Sequence, residues 1–379
     1  MAVYADNNAT TALDERVLAT MQPFLRRHHG NPSSLHSEGR LARAAIERAR
    51  AQIAQLVNCQ PAQVILTSGG TEANNLAIKG VDEHTVIAVS SIEHNSILAP
   101  ARYLAGRGRT VRWVQPDASG TITEACCDAA LERSATPSAL LSVMTANNET
   151  GAIQEVSRIA AWGRSHGMTV HTDAAQAAGK IAIDFSKWAV HMMTLSAHKL
   201  YGPKGAGALI VDKSLALEPL LHGGGHEQGL RSGTENVAAI VGFGAAAEIA
   251  GNELQQRHAH TKALRDQLEH ALDAIEGITL LCRGNRQRLP NTTLLVVAGM
   301  DGETAVMHLD QHGICVSSGS ACASGDPDPS HVLLAMGIDR VQARQAIRVS
   351  WGQDNTRQDV DTLIDALRQL VSLVQRQYK

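Results

Sequence analysis

Cys322 lies in the stretch SSGSACASGDPDPS, residues 317–330, among glycine, serine, aspartate and proline. A structural free cysteine usually behaves as a small buried hydrophobe, whereas this composition is typical of a loop. The thiolate is the nucleophilic form of cysteine. Cys322 is therefore a candidate nucleophile, provided that other residues of the chain supply a chemistry that needs one.

A lysine provides the second candidate. Lys199 occurs in LSAHKLYGPKGAGALIV, after a β-rich run and before a Gly/Pro turn. It could be a surface lysine in a loop, but lysine is also the residue that forms Schiff bases with aldehyde cofactors such as pyridoxal 5'-phosphate (PLP). That chemistry also needs a phosphate cradle, a carboxylate for the pyridine nitrogen and a group packed against the ring.

The phosphate cradle has a candidate in TSGGTEANN, residues 67–75, which follows the run VIL and opens a predicted helix. Glycine lets the backbone approach a phosphate, and a helix N-terminus presents free N–H groups and positive potential. Gly70 and Thr71 are expected to make these contacts, and Ser196 and His198 could add donors.

The remaining groups follow other β-rich runs. Asp173, in HTDAAQ, could keep the ring nitrogen protonated, although Asp is equally suited to capping a helix. Gln176 and Asn148, the latter in ANNETG, could reach the ring oxygen. His94, in SSIEHNS, could stack on the ring and move protons near neutral pH, or it could be an ordinary loop histidine.

These residues need a scaffold that brings them together, and the chain pattern predicts one. Most of the short β-rich runs are separated by helix-like segments, at 72–80, 95–105, 123–133 and 155–166. A helix predicted at 37–57 precedes them; Ser37 is its expected cap, and its apolar face is formed by Leu41, Ala45, Ala49 and Ile53. Strand–helix alternation predicts a mostly parallel sheet, whose ligands bind at the carboxyl ends of the strands. The seven β-rich runs are 64–66, 86–90, 111–114, 139–144, 168–172, 191–196 and 206–211.

The pattern changes beyond about residue 237. A long helical stretch to about 275 is followed by the strand-like TTLLVV (292–297), a helix near 302–312, the Cys322 loop, IRVSW (347–351) and a closing helix at 356–376. This order predicts a smaller α+β domain. We expect a large domain over residues 1–250, whose first residues could pack on the small domain, and a small domain over 251–379 that carries the cysteine loop.

Composition excludes several classes of protein. The chain has 379 residues and a formal net charge of −3, which gives no indication of nucleic-acid binding. No long apolar run predicts a membrane span and no signal peptide is visible, so a cytoplasmic location is expected. Six cysteines without CxxC spacing are then expected to be reduced thiols, with Cys126 and Cys127 packed along a helix, Cys315 buried and outside catalysis, and no cysteine zinc site.

Taken together, the motifs closely resemble the cysteine desulfurases of the NifS/IscS type, which are PLP enzymes of the class V aminotransferase group. The similarity extends from YADNNATT at 4–11 to IRVSWG at 347–352, and DNNATT with GNPSSLH is more similar to the NifS branch. It implies the fold type I of PLP-dependent transferases, with a seven-stranded large domain. One departure is GGGHEQGLRSGT, where His226 and Gln228 replace the usual Gln and Arg. The motifs that carry the resemblance are TSGGTEANN, EHNSIL, NNETG, HTDAAQ, SAHKLYGPKG, GLRSGTENV and SSGSACAS.

The resemblance implies a reaction and three catalytic residues. L-Cysteine is converted to L-alanine, and its sulfur passes to Cys322 as a persulfide. Lys199 forms the Schiff base with PLP and moves the Cα proton, and His94 stacks on the ring and acts as acid–base. The sulfur would serve iron–sulfur cluster assembly through an acceptor scaffold of the NifU/IscU type.

The resemblance also implies the binding residues. Arg348, with Asn148, holds the substrate carboxylate, as suits the planar and permanently charged guanidinium. Thr234, in RSGT, reaches the phosphate in the other subunit, which implies a homodimer. The cofactor contacts implied are Gly70, Thr71, His94, Asn148, Asp173, Gln176, Ser196, His198, Lys199 and Thr234.

Three alternatives remain open from the sequence. The first is another PLP activity of the same fold, a class V aminotransferase or a selenocysteine lyase. The second is a metal site formed by His222 and His226, which are four residues apart, with Glu227 beside them. The third is a non-enzymatic scaffold for sulfur or iron–sulfur clusters, although unpaired cysteine spacing argues against cluster ligation by this chain alone.

Overall fold

The computed structural model describes residues 2–131, 139–284, 287–319 and 329–377. The described residues form thirteen α-helices and thirteen β-strands. The helices are α1 Glu15–Arg26, α2 Ser37–Leu56, α3 Gly70–Lys79, α4 Asn95–Ala105, α5 Glu124–Leu131, α6 Val156–Ser165, α7 Phe185–Trp188, α8 Val237–Asn252, α9 Leu254–Leu272, α10 Gly302–Gln311, α11 His331–Ala335, α12 Arg340–Arg344 and α13 Arg357–Gln377. The strands are β1 Val3–Tyr4, β2 Val64–Thr67, β3 Val86–Ser90, β4 Val111–Val114, β5 Ala139–Ser142, β6 Thr169–Asp173, β7 Met192–Ser196, β8 Gly207–Val211, β9 Ile278–Leu281, β10 Thr292–Val297, β11 Ile314–Cys315, β12 Ser317–Ser318 and β13 Ala346–Ser350.

The large sheet has seven strands in the order β2-β8-β7-β6-β5-β3-β4. All its pairings are parallel except the two made by β8. The predicted α/β fold with a mostly parallel seven-stranded sheet is therefore confirmed. Because every strand but β8 points the same way, the loops after β2, β3, β5, β6 and β7 meet at one edge.

Helices cover both faces of this sheet. Side chains alternate along a strand, so Leu66 and Ile210 pack in the apolar cluster that contains α2 and α8. Their neighbours Ile65 and Leu209 pack in the cluster that contains α3 and α4. Both faces of the sheet are covered by apolar side chains, which explains why these strands read as continuous apolar runs rather than as alternating ones.

Helix α2 differs from the prediction in two respects. Its N-cap is His36, whose ring accepts a hydrogen bond from the Gly39 amide, and not Ser37, which is the first helical residue. The predicted apolar face is partly wrong, because Leu41 is 38% exposed. The buried stripe instead runs through Ala42, Ile46, Ala49 and Ile53, so the helix is rotated by about one residue position relative to the predicted face.

The second sheet is antiparallel, in the order β12-β13-β10-β9. The single long helix predicted for residues 237–275 is two helices, because α8 and α9 meet at a bend of 74°. Helix α8 packs on α1 and α2, whereas α9 packs on α13 and the second sheet. The predicted domain boundary at residue 250 lies just before this bend and stays a prediction. No single helix of the described residues combines the length and hydropathy of a membrane span, and α8 with α9 meets those criteria only as a bent pair.

The N-terminal segment joins the two sheets. Strand β1 pairs with β11, where Val3 lies opposite Ile314. The Asn7 amide then donates to the Ser350 carbonyl at 3.0 Å, and the Asn8 amide donates to the Ser350 hydroxyl at 2.9 Å. The chain next reaches the edge of the large sheet, where the Thr11 amide donates to the His198 carbonyl. Residues 7–11 therefore lie between the second sheet and the strand ends of the first.

Candidate active site

A cavity of about 340 Å³ lies at the carboxyl edge of the large sheet. Its wall combines loops that follow five parallel strands with one residue of β13 and two residues of the N-terminal segment, Asn8 and Ala9. Ten of the residues predicted from the sequence line this single cavity. They are Gly70, Thr71, His94, Asn148, Asp173, Gln176, Ser196, His198, Lys199 and Arg348.

Lys199 ends a short 3₁₀ turn, Ala197–Lys199, that directly follows β7. Its Nζ donates to the Asn8 carbonyl at 2.6 Å and to the Ala9 carbonyl at 2.7 Å. The amine therefore lies at the cavity wall rather than in solvent, which sets aside the alternative of an ordinary surface lysine.

Asp173 is the last residue of β6 and is buried. Its Oδ1 accepts from the Ala175 amide at 2.9 Å, and its Oδ2 accepts from Asn74 Nδ2 at 2.7 Å. A turn and not a helix follows Asp173, so this residue is not a helix N-cap. Among the described residues Asp173 has no partner in an ion pair within 4.0 Å, which leaves its charge available to a cation in the cavity.

His94 caps α4 and faces the same cavity. Its Nδ1 accepts from the Ser96 amide at 3.1 Å and lies 2.8 Å from Ser96 Oγ, which in turn accepts from Asn74 Nδ2 at 2.8 Å. This network assigns the ring proton of neutral His94 to Nε2. Burial lowers the pKa of His94 below its ordinary value; Asp173 opposes that shift and Lys199 adds to it.

The N-terminus of α3 forms a cradle at one end of the cavity. Gly69 precedes the helix with φ +155°, and a Cβ on Gly70 would lie 3.4 Å from the Ser196 Cβ, in the space between the helix N-terminus and this serine. Gly207 on β8 allows the turn to lie against the sheet, because a Cβ there would come within 2.5 Å of the Gly69 carbonyl carbon. Burial lowers the pKa of His198 to about 4, so this ring is neutral and can still donate a hydrogen bond.

Arg348 lies on β13 and is only 3% exposed. Its Nη2 pairs with Asp6 Oδ1 at 2.7 Å, and its Nη1 donates to the Asn148 carbonyl at 3.3 Å. Its Nε is buried and has no hydrogen-bond partner among the residues that the structure describes. A buried guanidinium with a donor left over is suited to an anionic ligand such as a carboxylate.

Comparisons with known proteins agree with this geometry. Residues 3–363 match the family model "Aminotransferase class-V". Cysteine desulfurase IscS 1 of Archaeoglobus fulgidus is 40% identical over 371 residues, covering 96% of this chain and 95% of the relative. Cysteine desulfurase NifS of Azotobacter vinelandii is 37% identical, covering 98% and 92%.

The chain belongs to the cysteine desulfurases of the class V aminotransferase family. A solved structure, the NifS-like protein from Rickettsia africae, is 33% identical with a TM-score of 0.91, covering 98% of this chain and 100% of that one. Relatives named IscS and NifS match at similar identity, so identity alone does not separate the two branches. Enzymes of this family depend on PLP.

The cavity of this cysteine desulfurase family member has the chemistry that PLP requires. Lys199 supplies an amine, Asp173 an anionic partner for a pyridinium, and His94 a planar ring. The α3 N-terminus supplies amides for a phosphate, in a space that a side chain at position 70 would reduce. The volume is within the range of small-molecule sites. The residues present therefore fit the group.

Thr234 does not line the cavity and is exposed. Its segment is held near α3, because Arg231 Nε donates to Glu72 Oε1 at 2.9 Å. The same segment is anchored by Glu227, which accepts from Arg50 Nη1 and Nη2, each at 2.8 Å, and from the Leu66 amide at 2.8 Å.

The two family departures lie beside this anchor. Gln228 Nε2 donates to the Ala62 carbonyl at 2.9 Å, and His226 Nδ1 accepts from the Gly233 amide at 3.3 Å. The metal alternative is not supported, since the Glu227 carboxylate is occupied by Arg50 and Leu66. In the described ranges, no three His, Cys, Asp or Glu side chains are grouped to hold a metal ion.

Cys322 lies outside the described residues, but both flanks of its segment are described. Ser317 pairs with Arg348 between β12 and β13, and the Gly319 amide donates to the Ala346 carbonyl at 2.9 Å. At the other flank the Ser330 hydroxyl donates to Glu149, the neighbour of Asn148. The remaining five cysteines are unpaired; Cys127 is buried, whereas Cys315 is only partly buried, contrary to the prediction.

The sequence reasoning missed several residues of the site. Asn74 and Ser96 connect His94 to Asp173, and Asn8 contributes both side chain and carbonyl to the wall. Asn74 lies one helical turn after Gly70, in the motif already selected, so helical spacing could have identified it. The role of Asn8 depends on partners in both sheets, which no local pattern indicates.

Proposed function

We propose that this chain is a PLP-dependent cysteine desulfurase that converts L-cysteine to L-alanine and takes the sulfur onto Cys322 as a persulfide. The observation that carries the proposal is a cavity at the strand ends that brings together an amine, a carboxylate with no ion-pair partner among the described residues, a histidine whose pKa is lowered and a buried arginine. Membership of the cysteine desulfurase family supports the same activity.

The chain positions its groups around the cofactor. PLP, when bound through Lys199, serves as an electron sink for the bond changes at the substrate. Asp173, held by Asn74 and the Ala175 amide, would hold the pyridine nitrogen in its protonated form. His94 would pack on the ring, with its own proton on Nε2. Lys199 would hold the cofactor, and its Nζ would be the base that takes the Cα proton of the substrate.

Arg348 and Asn148 orient the amino acid. The substrate carboxylate binds the guanidinium edge that carries the unpartnered Nε, while Asp6 keeps the guanidinium plane fixed through Nη2. Charge-assisted bonds of this kind are short and directional. A substrate held there would lie in the cavity that Lys199 also lines, beside the strand to which the cysteine segment is joined.

Sulfur transfer then requires Cys322 as a thiolate. The thiolate sulfur attacks the substrate Sγ, the new S–S bond forms and the substrate Cβ–S bond breaks. The electron pair of the broken bond stays with the organic fragment, which gains protons and leaves as L-alanine. Support comes from the two described flanks of the segment, which are bonded to the strand of Arg348 and to Glu149 beside Asn148.

The assembly and the acceptor are also proposals. The exposure of Thr234, away from the cavity of its own chain, supports a homodimer in which Thr234 reaches the phosphate in the other subunit's site. Cys322 would pass its persulfide sulfur to a scaffold protein of the NifU/IscU type for iron–sulfur cluster assembly.

The test uses purified protein loaded with PLP and supplied with L-cysteine. We expect equal amounts of alanine and transferred sulfur, and a mass increase of one sulfur atom on the peptide that contains Cys322. Cys322→Ser should abolish both products yet keep the visible absorbance of the lysine-bound cofactor, whereas Lys199→Ala should lose that absorbance. Cys126→Ser, a half-exposed thiol on α5, is the matched control and should behave like the wild type.

Two outcomes would refute the proposal. Normal turnover by Cys322→Ser would exclude Cys322 as the sulfur acceptor. Formation of a keto acid instead of alanine would indicate an aminotransferase. The same variants are also assayed with selenocysteine as the substrate. A selenocysteine lyase would be indicated if Cys322→Ser kept its activity on selenocysteine.

A further inference from the structure

A second lysine lies directly behind the cavity wall. Lys180 follows Gln176 by four residues, and its Nζ donates to Gln176 Oε1 at 2.7 Å and to Asn8 Oδ1 at 2.8 Å. Lys180 is partly exposed as a whole residue, but the two amides that it contacts belong to the buried residues Asn8 and Gln176. Lys180 does not line the cavity itself; it lines a smaller space of about 20 Å³ on the far side of Lys199.

The direction of these hydrogen bonds fixes the two amides. A lysine side chain donates hydrogen bonds, so each amide must turn its oxygen toward Lys180 and its nitrogen away. Gln176 Nε2 accordingly donates to the Asn8 carbonyl at 2.9 Å. Asn8 Nδ2 donates to Thr292 Oγ1 at 2.8 Å and to the Asn148 carbonyl at 3.1 Å.

These bonds reach both ends of the site. The Asn8 carbonyl that accepts from Gln176 also accepts from Lys199 Nζ at 2.6 Å. The Asn148 carbonyl that accepts from Asn8 also accepts from Arg348 Nη1. One amine outside the cavity is therefore linked, through Gln176 and Asn8, to the polar atoms beside Lys199 and Arg348; at Asn8 Oδ1 it shares this role with Asn291 Nδ2, which donates at 3.0 Å.

We propose that Lys180 is a positioning residue, which fixes the amides of Asn8 and Gln176 and, through the Asn8 carbonyl, the place of the Lys199 nitrogen. This inference rests on the proposed function, in which Lys199 carries the cofactor. Without Lys180, Gln176 loses the donor that orients its oxygen, whereas Asn8 Oδ1 keeps the hydrogen bond from Asn291 Nδ2 at 3.0 Å. A rotated Gln176 would present an oxygen to the Asn8 carbonyl. That repulsion would move the Asn8 backbone and, with it, the acceptor of Lys199.

Electrostatics supports the same role. Burial, with added repulsion from Lys199 and Arg348, lowers the pKa of Lys180 well below its ordinary value. The other titratable groups around the small space are Arg257 and Tyr201. Because the interaction between two sites is reciprocal, replacing Lys180 should make protonation of the nitrogen on Lys199 easier.

The experiment compares Lys180→Met with Lys187→Met, which removes a lysine whose side chain is 82% exposed. Each holoenzyme is titrated with pH while its visible band is recorded, and kcat and KM for L-cysteine are then measured. In Lys180→Met we expect the pH midpoint of the visible band to rise by about half a unit or more. We also expect kcat to fall about tenfold or more. KM should change less, because Arg348 keeps its ion pair with Asp6 and still binds the substrate carboxylate. Lys180→Arg, which retains N–H donors, should recover part of both effects.

The proposal fails if Lys180→Met titrates and turns over like Lys187→Met. If the methionine variant does not fold, Asn8→Ser removes one of the two acceptors of Lys180 and keeps the carbonyl of residue 8; its midpoint should also rise, and an unchanged midpoint overturns the proposal. The wild-type arm separates the two inferences. A wild type without a lysine-bound visible band refutes the proposed function, whereas a normal wild type with a normal Lys180→Met refutes only the role of Lys180.

Discussion

Replacing Glu227 with Gln should cost this protein a large part of its stability. The Glu227 side chain is 1% exposed and the Arg50 side chain 10% exposed. Glu227 accepts three hydrogen bonds, two from Arg50 and one from the Leu66 amide. A glutamine oxygen in the place of Oε2 can keep the bonds from Arg50 Nη1 and the Leu66 amide, but the NH₂ group then faces Arg50 Nη2 and that bond is lost. The Arg50 charge stays buried without its counter-charge, so we expect a loss of about 3–5 kcal/mol in the free energy of unfolding.

Glu47→Gln is the matched control for this prediction. Glu47 also pairs with Arg50, at 3.4 Å, but its side chain is 55% exposed. An exposed pair contributes about 0–1 kcal/mol, so this variant should unfold almost like the wild type. Both variants and the wild type are unfolded in urea at one protein concentration, and unfolding is followed by circular dichroism. Their free energies of unfolding are compared with one common value for the dependence of that free energy on urea concentration.

The comparison gives a clear refutation. If Glu227→Gln lowers the free energy of unfolding by less than about 1 kcal/mol, or by no more than Glu47→Gln does, then the buried Arg50–Glu227 pair contributes no more to stability than an exposed pair. Glu227 and Gln228 both have positive φ, +47° and +60°, which is unfavourable for residues other than glycine. The pair should therefore also keep this backbone in place, and Glu227→Gln should expose residues 222–234 to limited proteolysis before global unfolding.

Three further predictions concern the site. Arg348→Ala should raise KM for L-cysteine more than it lowers kcat, measured by alanine production, and an unchanged KM would exclude Arg348 as the carboxylate ligand. Asn74→Ala should weaken PLP retention on dialysis, because Asp173 loses its 2.7 Å donor and the link to His94 is broken; retention equal to wild type would contradict this. Burial raises the pKa of Glu149 to about 7, so folding favours the protonated carboxyl. The stability that this group contributes is present in full below the pKa of Glu149 in the unfolded chain, and it is lost as the pH rises to about 7. The midpoint temperature of thermal unfolding should therefore fall more between pH 5 and pH 8 for the wild type than for Glu149→Gln. Equal falls in the two proteins would show that Glu149 is not the titrating group.

Much of the large sheet and its site could be predicted from local sequence. Apart from the edge strand β4, the strands of the large sheet are almost fully buried, so they appear as short apolar runs. The polar motifs that end the parallel strands must meet at one edge. Lys199, Asp173 and His94 each follow such a run and each lines the cavity. The parallel direction of the strands, rather than any single motif, makes this inference reliable.

Other features depend on distant partners and could not be predicted in this way. The bend between α8 and α9 has no proline to signal it, and the two helices have different distant partners: α8 packs on α1 and α2, whereas α9 packs on α13 and the second sheet. The pairing of Arg50 with Glu227 joins residues 177 positions apart. Residues 3–4 carry no strand signal of their own, because their strand exists only through pairing with β11.

The position of Asn8 has a consequence for the timing of biosynthesis. Its amide bonds to Ser350, 342 residues later, and its side chain bonds to Thr292, 284 residues later. The strands that end at Asp173 and Ser196 are translated long before β10 and β13. Until then the segment that carries Asn8 has no second sheet to bind. The part of the cavity wall that Asn8 supplies is therefore fixed only after translation has passed β13.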